Sequence, residues 1–170
     1  MPLVLITDAN VWIDLQVGKV LAEAVKLGFD FVLPDVIHAE LEDSKPAVFE
    51  DLSLLLELEH IRLGGLPPEA VSLAERFASQ HWKPQSPDLF ALAMAKLEEA
   101  VLVTGDKDLR EAAEAEEIEV HGTLWLMEAM VKQKVLTARR AHSSLRRMLK
   151  SDRRLPEGEC RKLLRRWSQK

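Results

Sequence analysis

Hydrophobic and polar positions alternate along this chain in blocks that predict strands and helices in turn. Short apolar runs without a polar face are typical of buried strands. Residues 3–6 form such a run, and further strands are predicted over 29–33, 61–63, 100–104 and 118–121. Longer segments between them carry apolar residues at helical spacing. Because strands alternate with helices, we predict an α/β fold with a mostly parallel sheet of about five strands, flanked by helices.

Glycine and acidic residues set several predicted helix ends. Gly28 ends a helical segment over 11–27, and Gly18 inside it predicts a division into two short helices. Asp35 is placed to cap the next helix. The segment 89–98 is apolar nearly all round, so it is predicted to be a buried helix. Other helices are predicted over 36–41, 47–59, 68–78, 109–115, 124–131, 137–150 and 156–167.

Composition is typical of a soluble globular protein, with 47% hydrophobic and 30% charged residues in a chain of 170. No apolar run reaches the length of about 18 residues that indicates a membrane span. The chain leads directly into a strand without a basic leader, so no signal peptide is predicted. The single cysteine, Cys160, excludes an internal disulfide and a cysteine-rich zinc site. We therefore expect a cytoplasmic protein with no membrane partner.

Charge is distributed unevenly behind the net value of −5. Residues 1–137 contain 11 Lys and Arg against 25 Asp and Glu, whereas residues 138–170 contain 12 against 3. This contrast predicts one domain over 1–134 and a basic helical C-terminal extension over 135–170. The extension could face nucleic acid or a partner's acidic surface. Alternatively, it neutralises the acidic body or is a solvated helical face.

Four carboxylates stand beside apolar runs. Asp8 and Asp106 each follow a predicted strand, and the carboxyl ends of parallel strands are where ligands bind in open α/β sheets. Asp88 lies in the first turn of an apolar helix, and Glu40 lies on a helix among apolar residues. Each acid taken alone could simply cap a helix or be exposed. Together they would repel one another, and Mg²⁺ or Mn²⁺, which prefer oxygen ligands, would offset that repulsion.

The same residues resemble the motifs of the PIN-domain ribonucleases. The stretch Ile6–Leu15 is similar to the opening motif of that family, and Glu40-Leu41 to its second acidic site. Pro87-Asp88 before an apolar helix is similar to the third, and Val103–Leu109 to the fourth. The resemblance covers about residues 3–131. The segment His121–Leu124 with the helix after it resembles a subgroup that has a C-terminal helical extension.

The resemblance implies a Rossmann-like PIN fold and a metal-dependent endoribonuclease, and many members are VapC-type toxins. It implies catalytic and metal-binding roles for Asp8, Glu40, Asp88 and Asp106. It implies supporting roles for Asn10, Thr104 and Asp108, where local turn bonding is the alternative for Asn10 and Thr104. Mg²⁺ or Mn²⁺ is the implied cofactor. RNA is the implied substrate, a cognate antitoxin is a candidate protein partner, and we expect a homodimer or higher homo-oligomer.

Phosphate contacts require cations, because an acidic pocket repels RNA. The candidates are basic residues near the fourth motif and on the extension: Lys107, Arg110, Arg139, Arg140, Arg146, Arg147, Arg153 and Arg154. Lys107 and Arg110 could equally be ordinary surface residues. Trp12, Trp82 and Trp125 are predicted to fill the core or an interface, and Trp167 either stacks on a base or anchors its helix. A catalytically inactive PIN-fold scaffold and a Mg²⁺-dependent phosphatase are the competing functions.

Overall fold

A five-stranded parallel sheet forms the centre of the computed structural model, which describes residues 1–81, 83–84 and 86–169. Its strand order is β3-β2-β1-β4-β5, so the chain starts in the middle strand and fills first one side and then the other. Every strand pair is parallel. The strands are β1 Val4–Thr7, β2 Asp30–Pro34, β3 Arg62–Gly64, β4 Val101–Val103 and β5 Val120–His121.

Helices connect the strands and cover the sheet. They are α1 Ala9–Val17, α2 Leu21–Ala24, α3 Asp35–Ser44, α4 Pro46–Glu57, α5 Pro68–Gln80, α6 Ser86–Leu97, α7 Lys107–Ala115, α8 Thr123–Lys132, α9 Ala138–Lys150 and α10 Glu157–Ser168. A short 3₁₀ helix, Val25–Leu27, follows α2. The predicted α/β fold is confirmed. In the part of the chain that is described, no helix is long and apolar enough to cross a membrane.

Two of the predicted helix ends can be compared directly with the structure. The division at Gly18 is confirmed, because α1 ends there and α2 begins at Leu21. The prediction that Asp35 caps the next helix is wrong. Pro34, the last residue of β2, occupies the N-cap position without a capping side-chain hydrogen bond, because the chain turns directly from β2 into α3. Asp35 is therefore the first helical residue, where its charge complements the helix dipole.

The core lies on both faces of the sheet and is built from the apolar runs. Leu5, Ile6 and Phe31 of the central strands are almost completely buried, and Trp12 of α1 packs against Phe31. Helix α6 packs on β1 and β4 with most of its apolar residues buried, as its all-round apolar character predicts. Both faces of the central strands are covered, which explains their uninterrupted apolar sequence.

The C-terminal extension is folded onto the body. Helix α9 packs against α1 and α8, and α10 packs against α9. Leu145 and Met148 of α9 are completely buried, and a Cβ atom on Gly18 would lie 2.3 Å from Met148 Cε. Trp167 is 3% exposed, so it anchors α10 and offers no open face to a base. Trp12 is likewise buried and Trp125 is half-buried, whereas Trp82 lies outside the described residues.

Candidate active site

Acidic side chains meet at the carboxyl edge of the sheet, around an open cleft of about 400 Å³. We call it the acidic cleft. The ends of β1 and β4, adjacent in the sheet, bring Asp8 and Asp106 to this edge. Helices α3 and α6 bring Glu40 and Asp88. The polar and charged side chains that line the cleft belong to Asn10, Glu40, Ser44, Lys45, Lys83, Asp88, Asp106 and Asp108.

Asp8 lies beside this cleft and is only 1% exposed. Its backbone N–H donates to Val103 O of β4 at 3.1 Å, which fixes it to the neighbouring strand. Its Oδ1 accepts from Val11 N at 3.0 Å, so it caps α1, and its Oδ2 accepts from the Thr104 hydroxyl. A helix cap and a metal ligand were the alternatives for this residue. The structure shows the cap in a buried side chain, and the role as a metal ligand is still a prediction.

Burial is the main cause that raises the pKa of Asp8 from 3.8 to about 7. The hydrogen bonds from Thr104 and Val11 act in the opposite direction. The negative charges of Asp88 and Asp14 raise the pKa further. At neutral pH this carboxyl is therefore ionised only in part, and a nearby cation would favour its charged form.

Thr104 joins the two strand-end acids. Its hydroxyl donates to Asp8 and accepts from the backbone N–H of Asp106 at 3.0 Å. Asp106 Oδ1 in turn accepts from Leu109 N at 2.8 Å and caps α7. Both acids are thereby held by fixed backbone groups at the start of a helix, so their carboxylates have little freedom to rotate.

The remaining acids line the rim and are less constrained. Glu40 is exposed on α3, and Asp88 is half-buried in the first turn of α6. Asp108 lies 3.8 Å from Lys83, measured between Oδ1 and Nζ. Glu40, Asp88, Asp106 and Asp108 thus line one cleft, and their roles in binding and catalysis are still predictions.

Oxygen donors of this type suit Mg²⁺ or Mn²⁺. The charges of Asp88 and Asp14 add to the raised pKa of Asp8, and a bound cation would lower that pKa. Within residues 1–81, 83–84 and 86–169, however, no group of three or more His, Cys, Asp or Glu side chains stands close enough to hold an ion. The donor set fits a divalent cation in chemistry, and its members are spread along the cleft.

A second buried acid, to which the sequence alone assigned no role, connects the site to the C-terminal extension. Asp14 of α1 accepts from Thr123 Oγ1 at 2.6 Å and from Arg153 Nε at 2.6 Å. Burial raises the pKa of Asp14, while these two hydrogen bonds and the charge of Arg153 lower it. Arg153 Nη2 also reaches Asn10 Oδ1 at 3.3 Å. The one available signal was an acid between two apolar residues, Ile13 and Leu15, on a mainly apolar helix.

The predicted phosphate-binding cations differ in their surroundings. Arg140 pairs with Glu23, and Arg147 donates to Gly18 O at 3.0 Å, so both attach α9 to the body. Lys107 is exposed beside Glu111, and Arg110 donates to Thr104 O at 3.4 Å next to the acidic edge. Arg139 and Arg146 are exposed on α9. Part of the basic extension thus pairs with the acidic body, as one of the two sequence interpretations proposed.

Comparison with solved structures shows a shared fold. A chain of the VapBC2 complex from Rickettsia felis, crystallised with a DNA fragment from its promoter, superposes with a TM-score of 0.54 at 13% sequence identity. The match covers 71% of this chain and 98% of that one, so part of this chain has no counterpart there. A search of curated protein sequences gave no significant match. The DUF3368 family, described as a PIN domain, matches residues 4–169. Because that match includes nearly the whole chain, with α9 and α10, the chain belongs to the PIN-domain family.

Proposed function

We propose that this protein is a metal-dependent endoribonuclease that hydrolyses RNA phosphodiester bonds. The observation that carries the proposal is the buried Asp8, whose pKa is raised to about 7 at the edge of a cleft lined by further acids. PIN domains are generally nucleases that use divalent metals. Ionisation of a buried acid without a cation nearby destabilises the folded protein. A purely structural role would favour an uncharged residue at this position, whereas a metal site requires the acid.

Asp8, Glu40, Asp88 and Asp106 would hold one or two Mg²⁺ or Mn²⁺ ions. When bound, such an ion lowers the pKa of a coordinated water and offsets negative charge on the phosphate. Thr104 orients Asp8 through its hydroxyl and fixes Asp106 through the backbone. Asn10 lines the acidic cleft and is positioned by Arg153, so its amide is placed for a polar contact with substrate or water.

We further propose a cytoplasmic toxin with a cognate antitoxin as its protein partner. The support is the shared fold with a chain of VapBC2, whose complex was crystallised on promoter DNA. Homo-oligomerisation belongs to the same proposal. Co-purification with the product of a small neighbouring open reading frame would test the partner, and light scattering of the purified protein would test the oligomer.

A catalytically inactive binding module is the second candidate, because no three described acids already stand at ion-binding distance. Cleavage of labelled single-stranded and structured RNAs with Mn²⁺ or Mg²⁺ separates the two functions. We expect Asp8→Asn and Asp106→Asn to reduce cleavage by more than about 100-fold, since even residues behind metal ligands cost about 10–100-fold. Asp43→Asn, an exposed change on α3, is the matched control. If wild type and Asp8→Asn are equally inert with every RNA and metal, the nuclease proposal is wrong.

A further inference from the structure

Three depressions follow one another along the carboxyl edge of the sheet. The first is the acidic cleft. The second, of about 270 Å³, shares Asn10 and Asp106 with it. The third, of about 420 Å³, shares Gly105 and Arg154 with the second. Because each shares wall residues with the next, the three depressions lie side by side along this edge, in a row that leads away from the acids.

The third depression, which we call the basic pocket, has a different chemistry from the acidic cleft. It lies between the starts of α7 and α8 and the loop that joins α9 to α10. Three cations line it, and so do apolar side chains. The cations are Lys107, Arg110 and Arg154, and the apolar wall includes Trp125, Leu155 and Pro156. This combination suits an anionic ligand that also carries an apolar part.

Arg110 is held in place at the floor of the basic pocket. Its Nη2 donates to Thr104 O at 3.4 Å. A Cβ atom on Gly122 would lie 3.3 Å from the same nitrogen, so the glycine leaves room for the guanidinium. Among the described residues no carboxylate pairs with Arg110 or Arg154, whereas Lys107 pairs with Glu111. Both arginines therefore keep charge available for a ligand.

The apolar wall is fixed as well. Trp125 stacks on His121 at 4.3 Å and on Phe29 at 5.6 Å between ring centroids. The N-cap residue of α8 is Gly122, which has no side chain to cap the helix, so the first backbone N–H groups of α8 lack a capping side chain. Thr123 and Leu124, at that helix start, line the pocket. These N–H groups add to the attraction for an anion that the arginines already provide.

We propose that the basic pocket binds the nucleotide next to the scissile bond of a single-stranded polynucleotide. Arg110 and Arg154 contact its phosphate, and the wall of Trp125, Leu155 and Pro156 receives its sugar or base. The row of depressions that links the basic pocket to the acidic cleft favours a polymer over a free nucleotide. A walled pocket favours a single strand, whose nucleotides can be splayed apart, over a rigid duplex. This inference rests on the proposed function, and it makes the C-terminal extension part of the substrate site.

Binding without cleavage tests the basic pocket separately from the chemistry. The probe is a fluorescein-labelled 12-nucleotide single-stranded RNA, followed by anisotropy in EDTA at several salt concentrations. We expect Arg154→Ala, which removes an exposed side chain, and Arg110→Ala each to raise Kd about 5–10-fold. Each should also reduce the salt slope by about 0.7, the value of one phosphate contact on a single strand. Arg166→Ala, an arginine of α10 outside the pocket, should leave Kd within about twofold.

A second substitution in the basic pocket is expected to strengthen RNA binding. Glu159 lines the basic pocket and pairs with Lys162. Glu159→Gln removes a negative charge from the wall and should tighten binding about twofold to threefold. Glu157→Gln, on the same helix but outside the wall, is its control. A role in stability alone would not strengthen binding.

Several outcomes would overturn the proposal. These are an equal loss for Arg154→Ala and Arg166→Ala, no loss for either pocket arginine, or equal affinity for a duplex of the same length. If AMP competes with the labelled RNA as strongly as the unlabelled 12-nucleotide RNA does, binding of a polymer along this edge is also contradicted. If wild type cleaves RNA and Arg154→Ala leaves both Kd and KM unchanged, the pocket assignment fails and the nuclease stands. If binding responds as expected but nothing is cleaved, the nuclease proposal fails and the pocket stands.

Discussion

The charge of Asp8 should destabilise the metal-free protein, and Asp8→Asn should remove that effect. The folded pKa of Asp8 is about 7 against an unfolded value of 3.8, so the folded state binds more protons between these values. The contribution of Asp8 to the free energy of unfolding is therefore fully present below about pH 4 and is lost as the pH rises toward 7. A pKa that differs by one between the folded and unfolded states corresponds to about 1.4 kcal/mol, so the whole difference for Asp8 gives about 4 kcal/mol.

Only part of this difference of about 4 kcal/mol falls within the pH range of the assay. Between pH 5 and pH 8 the contribution of Asp8 to the free energy of unfolding should change by about 2–3 kcal/mol. Asparagine keeps the acceptor for Val11 N, and its amide can donate to Thr104 Oγ1. Any cost of that rearrangement is the same at both pH values, so the slope with pH isolates the charge.

The assay is urea unfolding followed by tryptophan fluorescence in EDTA at pH 5, 6, 7 and 8. We expect the wild type to lose about 2–3 kcal/mol more than Asp8→Asn over this range. Asp43→Asn, exposed on α3, should follow the wild type. Parallel curves for wild type and Asp8→Asn would refute the reasoning, because they would mean that Asp8 releases its proton as easily folded as unfolded.

Three further predictions follow from the same contacts. In metal-free wild type, Mn²⁺ at about 100 times its Kd should raise the melting temperature by about 5–10 °C, and Asp8→Asn should not respond; an equal rise in both variants would contradict a site at Asp8. Arg153→Ala leaves buried Asp14 without its cation and should lower the free energy of unfolding by about 3 kcal/mol. Adding Asp14→Asn to Arg153→Ala should restore much of that loss, because no buried charge then lacks a partner. As a control, Arg166→Ala, which removes an exposed ion pair with Glu128, should lower the free energy of unfolding by less than about 1 kcal/mol. Gly64→Ala places a Cβ 2.7 Å from Cγ1 of the buried, branched Val32 of β2 and should destabilise by about 1–3 kcal/mol in urea unfolding, whereas Gly65→Ala, with nothing within 4 Å, should not.

The fold could be predicted from the sequence because the spacing of apolar residues that distinguishes strands from helices is recognised over short segments. Leu5 and Ile6 lie in an apolar run, and Gly18 and Gly28 interrupt the helical segment, so each signal is read within a few residues. Asp35 was misplaced because the end of β2 and the start of α3 share Pro34, and a local pattern cannot divide them. The position of Asp8 and Asp106 at one edge followed from the parallel order of the strands alone.

Long-range pairs could not be predicted in this way. The contact between Asp14 and Arg153 joins residues 139 positions apart, and nothing near either residue identifies its partner. The same holds for Gly122, whose bare backbone accommodates Arg110 only once β5 has been placed beside β4. The basic pocket depends on both relations, so it is a property of the tertiary structure and has no local motif.

These relations change how the extension should be tested. Removing residues 138–170 would weaken RNA binding if its arginines contact phosphate. The same deletion would also expose the core around Leu145 and Met148 and leave Asp14 without Arg153, so it would lower stability whatever the extension binds. Loss of binding by the truncated chain therefore has two causes that cannot be separated. Arg154→Ala avoids this problem, because the side chain is exposed and, among the described residues, has no ion-pair partner to lose. A specific loss of affinity in that variant would assign the extension to the substrate site, and retained affinity would assign it to the stability of the fold.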